Sequence, residues 1–167
     1  SILNLKSIDL GWLSSDDPIE KLLQRYLDEY LMQNQAAHVV SAGLKVLGVG
    51  LRPLIDHLTF RTLDIDKRAA EFLKLGYRYD RTLGVIQYDS WWAKVYRKPG
   101  YPSLFLDQPF SGKRGKKSKI PMWVKEFGES LHHIAISVDD IDRAIFYLEK
   151  QGVQFSGKTV GDPGTDL

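Results

Sequence analysis

Apolar and polar residues alternate from Leu54 to Arg61. This predicts a strand with Ile55, His57, Thr59 and Arg61 on one face and Leu54, Asp56, Leu58 and Phe60 on the other. The period then lengthens. Ala69, Ala70, Phe72, Leu73 and Leu75 fall at helical spacing, behind Asp64 or Asp66 as an N-cap and ahead of Gly76 as the natural stop. Three more strands are expected, at Val85 to Tyr88, Trp91 to Tyr96 and Ser103 to Leu106, separated by the turn signals Asp89-Ser90 and Lys98-Pro99-Gly100. The unit reads strand, helix, strand, strand, strand. Upstream, Ile19, Leu22, Leu23, Tyr26, Leu27, Tyr30 and Leu31 recur every three or four residues. They predict an amphipathic packing helix with Asp17 as cap, Pro18 at its first position and Glu20 placed to reach back to the cap amide. Gly43, Gly48 and Gly50 interrupt the apolar stretch before Pro53, without the order of a phosphate loop.

The strand-to-helix pattern returns without a gap at an offset of 76 (133 − 57). His57 matches His133, Asp64-Ile65-Asp66 matches Asp140-Ile141-Asp142, Lys74 matches Lys150 and Gly76 matches Gly152. A fixed-offset repeat marks duplicated structural units. Residues 1–53 are therefore expected to form a helical N-terminal segment and 54–110 the first unit. A basic linker with a short helix near Trp123 to Phe127 follows over 111–130, and the second unit occupies 131–167. After Val153-Gln154-Phe155 that second unit lacks room for its last two strands, so it is expected to be truncated.

Bulk composition narrows the function classes. The chain has 167 residues and 43% hydrophobic content, enough for one core, and its net charge of +2 is too small for a general polyanion binder. The basic run from Lys113 to Lys119 has no interleaved aromatics and reads as a solvated connector, so no nucleic-acid partner is expected. The absence of cysteine excludes disulfides, thiolate ligands and a thiol nucleophile. No apolar run suits a membrane span and no signal-peptide pattern opens the chain; the expectation is a cytoplasmic protein without a membrane partner.

The chemistry concentrates on the repeat. Two equivalent histidines, His57 and His133, on duplicated strands are candidates for ligands to one divalent metal. His132 is expected to face away from His133, and His38, outside the repeat, to be structural. Two histidines leave a site incomplete. Asp107, at the end of a predicted strand, could add a carboxylate, and so could a residue on the final strand of the second unit. Arg61, two alternations beyond His57, could hold a substrate carboxylate in a bidentate pair, and Lys94 and Tyr96 could line the same concavity.

His-His-Ile-Ala-Ile-Ser-Val-Asp-Asp-Ile-Asp (132–142), with its counterpart at Asp56-His57, resembles the vicinal oxygen chelate superfamily of glyoxalase, bleomycin-resistance and extradiol dioxygenase proteins. Asp56 to Thr62 and Leu75-Gly76-Tyr77, with weaker support from Tyr96 to Pro99 and Pro102 to Leu106, resemble the 2-oxoadipate dioxygenase/decarboxylase-like group within it. The resemblance implies an α+β fold of paired βαβββ modules whose sheets curl around one metal, with the second module truncated. It also implies His57 and His133 as metal ligands, Arg61 at the substrate carboxylate and a glutamate ligand beyond Leu167. The implied activity is that of a mononuclear non-haem Fe(II) dioxygenase taking a small 2-oxo acid and dioxygen; Zn, Mn or Ni are other divalent ions such a site accepts. The alternatives are a redox-neutral lyase or isomerase of the glyoxalase type and a metal-free binding or regulatory module. Self-association into a homodimer is left open.

Overall fold

The computed structural model describes residues 15–34, 36, 40 and 54–155. The readings placed on His38, Gly43, Gly48, Gly50, Pro53 and the end of the second unit lie outside the described residues. The described elements are α1 (Pro18–Gln33), β1 (Leu54–Arg61), α2 (Ile65–Leu73), β2 (Arg78–Tyr79), β3 (Ile86–Gln87), β4 (Trp91–Arg97), β5 (Ser103–Pro109), α3 (Gly112–Gly115), α4 (Ile120–Phe127), β6 (Ser130–Ser137) and α5 (Ile141–Lys150). This is the expected mixed α+β architecture. No described helix is long and apolar enough to cross a membrane.

One sheet runs β2–β4–β5–β1–β6, with β3 also on β4. β1 lies parallel to β5 and antiparallel to β6, so the first strands of the two repeat units are direct neighbours. Both strands are followed by the same cap: Asp64 accepts from the Lys67 amide and Asp140 from the Arg143 amide, 76 positions apart. Gly76 and Gly152 then leave the helices at φ +103° and +90°, a region that favours glycine.

The larger core cluster lies on one face of the sheet, while Ala93 and Val95 are buried on the other. Leu58, Phe60, Leu104, Leu106 and Leu131 meet Ile19, Leu23, Tyr26 and Leu27 of α1 and Ile65, Ala69 and Phe72 of α2. A large apolar side chain fully removed from water contributes roughly 1.5–3 kcal/mol, so this cluster binds α1 into the fold as the packing helix its periodicity predicts. A smaller cluster joins Ala144 and Leu148 of α5 to Val40, Ile136, Val138 and Val153.

Several local expectations change. Between β1 and β4 the chain forms two short strands, β2 and β3, both antiparallel to β4 in different registers, where one was expected at Val85 to Tyr88. Glu20 takes the Ser15 hydroxyl instead of the Asp17 amide, which donates to Ser15 Oγ at 3.1 Å. Lys94 and Tyr96 face the helices: Lys94 Nζ pairs with Asp66 on α2 at 2.9 Å and Tyr96 is in the core, so neither lines the opposite face. Ile55 also belongs to the core, out of phase with the face assigned to it beside His57.

Candidate functional site

The phase change at Ile55 has a specific cause. β1 and β6 pair with a shift between Ile55 and His57 and another between Thr59 and Phe60; Asp56 is the extra residue in the first and His132 in the second. Such bulges bend a strand and re-aim side chains. They are equivalent in the repeat, being 76 positions apart. Exchanging the two repeats turns Leu54↔Ser137 into Arg61↔Ser130, Ile55↔Ile136 into Phe60↔Leu131 and His57↔Ala135 into Thr59↔His133, and leaves Leu58↔Ile134 in place. The register therefore carries a local pseudo-twofold axis through Leu58 and Ile134.

That axis brings the two predicted histidines together. The His57 and His133 rings lie 5.8 Å apart, centroid to centroid, at 80°, with Phe105 packed 4.6 Å from His57. Each bulge draws in the preceding residue as well. Asp56 Oδ2 lies 2.8 Å from His57 Nδ1, and His132 Nδ1 lies 2.9 Å from His133 Nδ1. The expectation that His132 faces away from His133 is thus corrected, as is the placing of Asp56 opposite His57. Strict alternation fails wherever a strand carries an extra residue. A signal was present: the apolar positions Ile55 and Leu58, like Leu131 and Ile134, are spaced by three rather than two, and all four join the core cluster or pack against it.

Arg61 pairs in register with Asp107 of β5 on the same face of the sheet as His57 and Thr59. Trp123 of α4, which sequence reasoning gave no role, sits 5.5 Å from the Arg61 guanidinium and 5.6 Å from the His132 ring. Arg61 Nε is buried without a hydrogen-bond partner. Burial pushes the Asp107 carboxyl up to about 7, against the opposing pull of Arg61. His132 is pushed down to about 4 by burial, then by Arg61 and His133. Desolvation also lowers His133, with the charges of His57 and Arg61 adding to it. The rings of His132 and His133 are thereby held neutral near neutral pH, the form in which imidazole binds metals.

The structure brings His57, His132, His133, Arg61 and Asp107 to one face. Among the described residues, no three His, Cys, Asp or Glu side chains form a set able to hold a metal ion. Asp107 therefore does not complete a triad with the two histidines. Two rings bound to one ion through nitrogens about 2.0–2.2 Å from it have centroids within roughly 6.5 Å, and the observed 5.8 Å meets that limit.

The Glyoxalase/Bleomycin resistance protein/Dioxygenase superfamily matches the chain over residues 56–166, a span containing both repeat units. Similar solved structures include a hypothetical protein from Bacillus halodurans C-125, at 24% identity and TM-score 0.48, covering 63% of this chain and 72% of that one. A methylmalonyl-CoA epimerase matches at 21% identity and TM-score 0.47, over 64% of this chain and 77% of its own. Another, from Streptomyces coelicolor in complex with 2-nitronate-propionyl-CoA, matches at 20% identity and TM-score 0.39, over 60% and 71%. No curated protein matches the chain.

Proposed function

The chain belongs to the glyoxalase/bleomycin resistance protein/dioxygenase superfamily, and from that premise we propose that it is a mononuclear non-haem Fe(II) dioxygenase acting on a small 2-oxo acid. The observation that carries the reading is the approach of His57 and His133 across the pseudo-twofold axis. These two imidazoles would hold the metal, and a carboxylate outside the described residues would complete the set. Iron held there would supply a redox-active Lewis-acid centre for the oxo acid and dioxygen, with the oxo acid as the net source of the electrons that reduce oxygen.

Arg61 serves recognition. It shares the sheet face of His57 and bears electrostatically on His132 and His133, so its guanidinium is suited to a carboxylate of the oxo acid. This agrees with the resemblance of Asp56 to Thr62 to the 2-oxoadipate dioxygenase/decarboxylase-like group. Trp123 flanks the guanidinium and limits its swing. The partners in this reading are the oxo acid and dioxygen in a cytoplasmic setting, without nucleic acid or membrane. Asp107 favours a second reading: a buried carboxyl with a proton affinity near neutrality suits proton abstraction in a redox-neutral lyase or isomerase.

The test loads the purified full chain with Fe(II) and follows oxygen uptake over a panel of 2-oxo acids. His57→Ala and His133→Ala should each lower bound iron and abolish substrate-dependent uptake without unfolding the protein. Arg61→Ala should keep the iron and weaken substrate binding. Turnover without oxygen uptake selects the redox-neutral reading, and unchanged metal content in both histidine variants refutes the site.

A further inference from the structure

We propose that Asp56 and His132 are paired positioning residues: each uses its place in a β-bulge to accept the Nδ1 proton of the histidine that follows, leaving Nε2 of His57 and His133 as the ligating atoms. This inference rests on the metal-site reading above for its ligands, but its geometry stands on the duplicated strands.

An ordinary strand sends consecutive side chains to opposite faces, so residue 56 would be unable to reach the ring of residue 57. The extra residue in each strand removes that obstacle, and both bulges fall immediately before the repeat-equivalent histidine. At the first, the contact has only one polarity. A carboxylate accepts and does not donate, so His57 Nδ1 carries the hydrogen in the 2.8 Å bond to Asp56, and in the neutral ring, the form that binds metals, the lone pair is on Nε2. At the second, two ring nitrogens face each other at 2.9 Å, and one must donate. His133 stands where His57 stands and His132 where Asp56 stands, so the duplication assigns donation to His133. Fixing a ring through the nitrogen not used for the metal is the general means by which outer partners orient histidine ligands.

The tautomers are read directly from imidazole ¹⁵N shifts in the full-length apo protein, and ligand strength from Ni(II) titration calorimetry. His57 and His133 should both show a protonated Nδ1. Asp56→Ala should move His57, and His132→Phe should move His133, toward the Nε2–H form that a free imidazole side chain prefers. Each should weaken Ni(II) binding about 10–100-fold while melting of the apo protein is preserved. Asp56→Asn and His132→Asn, whose amide oxygens accept the same proton, should restore both tautomer and affinity, a rescue that a purely structural role does not give. Nε2–H rings in the wild type, or tautomers unmoved by the substitutions, overturn the inference. Correct tautomers in a wild-type protein that binds no Ni(II) overturn the metal-site reading and the ligand half of this inference, leaving tautomer control intact.

Discussion

Replacing Asp107 by asparagine removes a charge that the fold has to desolvate, and its effect on stability should depend on pH with a definite sign. The carboxyl ordinarily titrates at 3.8 and is pushed up to about 7 by burial, with Arg61 opposing. A folded-state value above the unfolded one means that the native protein binds this proton more tightly. Asp107's contribution is therefore most favourable below the ordinary value and is lost as pH rises toward 7. At about 1.4 kcal/mol per tenfold change in proton affinity, ionised Asp107 costs on the order of 4 kcal/mol. Residual solvent contact and the loss of Arg61's charged neighbour in the variant reduce the expected gain to about 2 kcal/mol. Asp107→Asn should thus match the wild type near pH 4 and become more stable as pH rises, levelling off above pH 7. For a protein of this size, a gain of about 2 kcal/mol raises Tm by roughly 4–8 °C. Urea unfolding followed by tryptophan fluorescence across this range checks the result. A constant difference would refute the desolvation argument, and a variant less stable above pH 7 would show that attraction to Arg61 outweighs it.

Two further substitutions probe the frame around the site. Gly76→Ala places a side chain at φ +103° against the Lys98 amine, which donates to the Leu75 carbonyl at 2.9 Å. It should cost about 1–2 kcal/mol, read as a lower urea midpoint; an unchanged midpoint would show that the turn relaxes freely. In the basic linker, Arg114 donates to the Asp89 and Tyr88 carbonyls and lies over the Phe110 ring. Arg114→Gln should lower stability by about 1 kcal/mol, whereas glutamine at Lys113, Lys116, Lys117 and Lys119, all exposed, should leave melting unaltered.

That linker also shows how far the sequence could be read. Its charged run correctly implied exposed lysines, but it forms α3 and leads into α4, which sets Trp123 against Arg61. Contacts of that kind join residues 62 positions apart (123 − 61), and no local pattern encodes them. Lys94 is similar: alternation gave it a face, and the side of the sheet covered by α2 decided that it pairs with Asp66.

The sequence by itself determined the duplicated unit, an acidic cap at Asp64 or Asp66 that the structure resolves to Asp64, the Gly76 and Gly152 exits and the equivalence of His57 with His133. Each depends on hydrogen bonds and backbone preferences within a few residues, or on repetition of the same local code. Only the tertiary structure decided which neighbours join those histidines. The antiparallel register of β1 against β6 leaves one extra residue on each strand, and that mismatch turns Asp56 and His132 toward the rings beside them. Burial on the same sheet face then sets the proton affinities of Asp107 and His132, because desolvation depends on everything packed around a group and not on its place in the chain.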